Sequence, residues 1–114
     1  MKYFLITSDP EVASFAVTSG VDRIFVDLEY IGKHDRQGHL STVISAHSLE
    51  DVARVRQVVP TGQLLVRVNP MYEGSAAEID GAIRAGADIV MLPMFRGPAE
   101  VQAFTQAVAG RART

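Results

Sequence analysis

Gly20 to Tyr30, GVDRIFVDLEY, is the stretch whose reading decides the fold of this 114-residue chain. It opens on a turn glycine, passes through β-branched and aromatic residues, and closes on two carboxylates. A buried parallel strand that delivers acids to its C-terminal end has this pattern. Ile24, Val26 and Leu28 share one face, and Phe25, Asp27 and Glu29 share the other. The first face is apolar throughout, while the second turns polar toward the end of the strand.

Working outward, Lys2 to Thr7 reads as a first strand and Asp9-Pro10 as an N-cap followed by proline at N1. The helix it opens is expected to bury Val12, Phe15, Ala16 and Ser19 and to close at Gly20. Strand two runs from Arg23 to Glu29. Tyr30 to His47 reads as a long polar connection holding Lys33, Arg36 and the histidines His34, His39 and His47. Ser48 to Asp51 then resembles a capping box, opening a helix with Leu49, Val52, Val55 and Val59 inward. Gln63 to Asn69 is strand three. Ser75 to Glu78 is a second capping box for a helix that ends at Gly86, and Asp88 to Met94 is strand four. A last helix opens at Gly97-Pro98 with Val101, Phe104 and Val108 inward, ends at Gly110, and leaves Arg111 to Thr114 leading into no further element.

The pattern is (βα)4, and an internal echo supports it. Gly20-Val21-Asp22 leads into strand two and Gly86-Ala87-Asp88 into strand four. Right-handed crossovers between neighbouring strands put every helix on one sheet face. An open sheet covers its other face by reversing strand order, whereas a barrel closes on itself with about eight strands. On strand three Leu64, Val66 and Val68 form an apolar face, while Leu65, Arg67 and Asn69 form one that turns polar. Charges there suit the mouth of a β/α barrel and suit a helix-covered face poorly. The expectation is an α/β fold: residues 1–114 as a single partial domain, the first four βα units of a TIM (β/α)8 barrel, with an apolar inner wall and an open strand-four edge.

Composition narrows the function classes. Hydrophobic content of 47% and net charge −2 describe a packed globule without a basic stripe, which argues against nucleic acid or a membrane surface as partner. The absence of cysteine removes disulfides and thiolate metal sites. The N-terminus is too short in apolar residues for a signal peptide or a span, so a soluble cytoplasmic protein is expected.

Arg67 is the sharpest chemical candidate, because a guanidinium near the end of an apolar strand is costly unless paired. It could close a structural ion pair with Asp27, hold a substrate anion, or do both with different edges. Asp27 and Glu29 point the same way and suit acid/base work or support of a metal, or else a pair and a solvated rim carboxylate. Asn69 shares their face, and Asp27, Glu29 and Asn69 are, with Arg67, the candidates for binding the substrate. His47 is placed for a general base or for packing on a helix cap; His34 and His39 read as solvent-exposed, and the three match no metal spacing. Gly74-Ser75 could hold an anion at a helix N-terminus or simply cap the helix. Met91 and Met94 read as core.

GVDRIFVDLE, LLVRVNP and AGADIVMLPM, in this order, resemble the N-terminal half of the HpcH/HpaI aldolase/citrate lyase family, over essentially the whole chain. The run VDLEYIGKHDRQGH…TVISAHSLEDV resembles a subgroup marked by its long loop. The resemblance implies a TIM-barrel carbon–carbon lyase in which Mg²⁺ or Mn²⁺ and an arginine stabilise the enolate of a pyruvate-like unit. Arg67 matches that arginine, Asp27 and Glu29 the strand-two acids, and Pro93-Met94 the end of strand four. The implied ligands are a 2-keto acid or an acyl-CoA-like molecule, and the complete protein is expected to be a homo-oligomer. Two departures stand out. Tyr30 takes the place of a histidine that many aldolase members carry, and Arg84 that of the acid supporting it. The implied metal ligands fall beyond Thr114. The 114-residue chain is therefore expected to have little or no lyase activity, with His47 or a metal-bound water as the remaining acid/base candidates. The alternative is a non-catalytic half-barrel that oligomerises or binds a small anion.

Overall fold

The computed structural model describes residues 1–29 and 41–114, with side chains outside 41–48. The elements in chain order are β1 (Phe4–Ile6), α1 (Pro10–Thr18), β2 (Arg23–Asp27), α2 (Ser41–Arg56), β3 (Leu64–Arg67), α3 (Ser75–Ala85), β4 (Ile89–Met91) and α4 (Pro98–Val108). The sheet is parallel throughout, in the order β1-β2-β3-β4. This is the (βα)4 half of a TIM barrel, with its helices on the outer face.

The alternation along each strand separates the two faces. Ile24, Val26, Leu28, Leu64, Val66, Val68 and Val90 pack beneath the helices with Ala13, Ala16, Val52, Val55, Ile79, Ala82, Phe104 and Val108. Each fully buried aliphatic side chain of the larger kind contributes about 1.5–3 kcal/mol of transfer free energy, which makes this convex layer the main core. The opposite, concave face holds a small second cluster of Phe25, Leu65 and Ile89. At its margins Phe4 and Ile6 on β1 are exposed by 51% and 62%, and Met91 on β4 by 39%. The inner wall is thus covered in the middle and bare at both edges.

The internal echo has a structural meaning. Gly20 and Gly86 take left-handed backbone at φ 104 and 119, and the next residues reach back, Val21 N–H to Ala16 O and Ala87 N–H to Ala82 O, both at 3.0 Å. The acids that follow cap the neighbouring strand: Asp22 Oδ2 accepts from Tyr3 N–H at 2.8 Å, and Asp88 Oδ2 from Leu64 N–H at 3.1 Å. At the second site Arg56 adds a clamp. It donates to Asp88 Oδ2 at 2.6 Å and to the carbonyls of Gly86, Val59 and Pro60. Burial raises the Asp88 carboxyl, but its bonds from Arg56 and backbone N–H groups outweigh that and hold it below the usual aspartate range.

Several expectations need correction. The α1 face that packs inward is Ala13 and Ala16, whereas Val12 and Phe15 are 44% and 73% exposed. The helix is rotated by about one position, which sets alanines where it approaches the sheet. α2 begins at Ser41, so Ser48 lies inside the helix and is no N-cap. No glycine or proline occurs from His39 to Val59 to stop the helix from extending back. Ser75 is the first residue of α3 behind Gly74; its hydroxyl accepts from Tyr72 N–H at 2.8 Å, and no side chain caps the helix. Met91 and Met94 are exposed and not core. The tail leads somewhere after all. Arg113 forms a parallel bridge to Ile89, with Val90 N–H on Arg113 O at 2.8 Å and Arg113 N–H on Asp88 O at 3.0 Å. This isolated bridge lies along the outer edge of β4. The expected loop residues 30–40, including Tyr30, Lys33, His34, Arg36 and His39, lie outside the described residues.

Candidate anion-binding site at the strand ends

Asp27 and Arg67 are register partners at the last positions of β2 and β3. Adjacent parallel strands hold such partners about 4.8 Å apart, close enough for their side chains to meet directly. The guanidinium meets the carboxylate edge-on: Nε donates to Oδ1 at 3.0 Å and Nη2 to Oδ2 at 2.6 Å. Glu29 Oε1 stands 3.5 Å from the same Nη2. The three side chains are 27%, 22% and 18% exposed, so the group is half-sunk in the wall rather than free at the rim. The bond to Asp27 holds Arg67 above the usual arginine value; burial opposes this, and the charges of Asp27 and Glu29 add to it. Beneath the guanidinium lies Phe25, its ring centroid 5.3 Å from Cζ. Met91 is the register partner of Arg67 on the other side. The result is an apolar floor and wall around one cation with two carboxylates beside it. Arg67 Nη1 makes no hydrogen bond among the described residues.

Asn69 stands apart from this group. It is fully buried, and its Nδ2 donates to Leu28 O at 3.2 Å and to Glu78 Oε2. Its backbone N–H donates to Glu78 Oε1 at 3.1 Å. Glu78, on α3, is 7% exposed, and burial pushes its carboxyl above the usual glutamate value against the bonds from Asn69. Sequence spacing assigned Glu78 to a cap. The signal that could have found its true role is an acid on the first turn of a helix that follows a strand ending in a polar amide.

The other candidates are scattered. His47 lies on α2, with its side chain outside the described residues; Tyr30, His34 and His39 are outside them entirely. Arg84 is 80% exposed and pairs with Asp80 at 2.9 Å along α3, facing away from the site. At Gly74-Ser75 the Ser75 hydroxyl accepts from Tyr72 N–H at 2.8 Å and the Ser75 N–H donates to Tyr72 O at 3.1 Å. Among the described residues no three of His, Cys, Asp and Glu come together as a metal site. Asp27 is taken up by Arg67 on both oxygens, and Glu29 leans on the same guanidinium.

Comparison with protein families matches residues 1–113 to HpcH/HpaI aldolase/citrate lyase. No curated protein matches the chain.

Proposed function

Because the chain belongs to the HpcH/HpaI aldolase/citrate lyase family, we propose that its concave wall binds a small carboxylate of the 2-keto acid class at Arg67 and, as this partial domain of residues 1–114, does not turn it over. The observation that carries this reading is the one-sided use of the guanidinium. Asp27 occupies the Nε and Nη2 edge and leaves Nη1 for a ligand. The fixed plane lowers the ordering cost of binding.

Two carboxylates beside one guanidinium also shape the ligand. A second anionic group on the ligand would be repelled by Glu29. A hydroxylated keto acid would present its carboxylate to Nη1 and donate its hydroxyl to Glu29, 3.5 Å from Nη2. The divalent cation that the family implies, Mg²⁺ or Mn²⁺, does not fit the described residues: no three of His, Cys, Asp and Glu come together among them, and the two acids at the site, Asp27 and Glu29, both lie on Arg67.

The second reading is carbon–carbon lyase chemistry of the aldolase/citrate lyase type, favoured by the extent of the family match. There Arg67 would stabilise an enolate and His47 would move a proton. An acyl-CoA-like substrate is the other ligand class this reading allows, and assembly as a homo-oligomer would cover the bare margins of the wall. No described helix is long and apolar enough to cross a membrane.

Calorimetric titration of the protein at low ionic strength with pyruvate and with a 4-hydroxy-2-keto acid, with and without Mg²⁺, tests the proposal. Saturable binding that Arg67→Ala weakens by about 10–100-fold is expected, as for loss of a charge-assisted hydrogen bond. Absence of binding would overturn it, and Mg²⁺-dependent cleavage would establish the second reading instead.

A further inference from the structure

We infer that Glu78 is a positioning residue for the Arg67 site, acting through Asn69 on the peptide that links Leu28 to Glu29. That peptide is held at both ends. Its carbonyl, Leu28 O, accepts from Asn69 Nδ2 at 3.2 Å, and its amide, Glu29 N–H, donates to Asp27 Oδ1 at 2.9 Å. Asp27 Oδ1 is also the acceptor for Arg67 Nε at 3.0 Å. Rotation of this one peptide plane would therefore shift Glu29 and disturb the carboxylate that fixes the guanidinium.

Glu78 determines where Asn69 stands. Its two oxygens take the Asn69 backbone N–H and side-chain Nδ2, so both the position and the direction of the amide are set from α3. Asn69 and Glu78 are buried, so water is a poor substitute for either partner. Leu28 N–H donates to Arg67 O at 2.9 Å, which ties the same segment to β3 from the other side. The path from helix to site is thus a continuous run of hydrogen bonds, with the far end at the guanidinium. Glu78 itself is buried on α3, beneath the wall. A carboxylate buried there only to stabilise the fold would have no effect on Arg67 in molecules that remain folded.

This inference rests on the Arg67 reading for its importance, while its test does not need a ligand. Hydrogen exchange of the Arg67 Nε–H group would be measured by nitrogen-15 NMR in the wild type, Glu78→Ala, Glu78→Gln and Glu100→Gln, the last an exposed glutamate on α4. Glu78→Ala is expected to speed Arg67 exchange roughly tenfold in the folded protein and to shift the Glu29 amide resonance, in line with the lower range of losses seen for supporting hydrogen-bond partners. Glu78→Gln, which retains one acceptor, is expected to fall between Glu78→Ala and wild type, and Glu100→Gln to match wild type. Wild-type exchange in a folded Glu78→Ala protein would overturn the inference. If Glu78→Ala does not fold, Glu78→Gln decides by the same reading, and unfolding of both assigns Glu78 to the fold and overturns it too. Failure of pyruvate to bind the wild type would remove the anion reading and leave the exchange result standing.

Discussion

Arg67 and Asp27 are partners twice over, once as register neighbours in the β2–β3 ladder and once through two edge-on hydrogen bonds at 3.0 and 2.6 Å. The backbone fixes the distance that the side chains need, so the pair forms with little freedom to lose. Lysine cannot reproduce it, because an ammonium has no second parallel donor in a fixed plane. Arg67→Lys is expected to lose ligand affinity nearly as completely as Arg67→Ala, within a factor of about three. Titration of both variants checks this; recovery of affinity by lysine would mean that charge alone is read.

Gly86 and Gly20 share a backbone conformation and differ in surroundings, which separates strain from crowding. A Cβ at Gly86 would collide with Arg56 Cδ and lie 2.6 Å from Cγ, and Arg56 is pinned by its hydrogen bonds. A Cβ at Gly20 would meet nothing within 4 Å. Gly20→Ala is expected to cost about 1–2 kcal/mol from left-handed backbone alone. Gly86→Ala should cost about 2–4 kcal/mol, since steric conflict adds to it. Urea unfolding of the two variants should show the difference.

Asp88 makes stability depend on acidity. Its folded value lies below that of the unfolded chain, so its contribution is present above about pH 4, where unfolded aspartate titrates, and is lost as pH falls through the folded value. Asp88→Asn should cost on the order of 2 kcal/mol at pH 7. It should also flatten the fall in urea midpoint below about pH 4. An unchanged slope there would remove Asp88 from the acid response.

The bare margins of the concave wall predict self-association. Ile6 is 62% exposed on β1 and Met91 39% exposed on β4. Light scattering should show association rising with concentration, and Ile6→Asp should suppress it with less than about 1 kcal/mol change in stability, as for an exposed position. A wild type that remains monomeric at high concentration would contradict this.

The alternation on β2 and β3 was enough to read the sheet faces and the Asp27–Arg67 meeting, because period two ties sequence to side directly. The glycine-acid echo was legible for the same reason, as each residue has a local backbone task. The phase of α1 was not legible. Ala16 belongs to both candidate faces, and the bulk of Val12 and Phe15 favoured the wrong one. The start of α2 was missed because polar residues and histidines resemble a loop when nothing nearby marks a helix end. Glu78 was misread because a first-turn acid three residues after a serine fits a capping box locally, whereas its actual partner Asn69 is set by how α3 packs against β3. The Arg113 bridge likewise depends on β4 offering an edge, which a four-residue tail does not reveal.

The most direct test of the central claim is to titrate pyruvate while following the Nε–H resonances of Arg67 and Arg56 in one nitrogen-15 spectrum. Arg56 is the internal control, since it is spent on Asp88 and three backbone carbonyls at the opposite end of the strands. The account predicts a saturable shift at Arg67 with Arg56 unmoved. An unmoved Arg67, or both resonances drifting together without saturation, would contradict it.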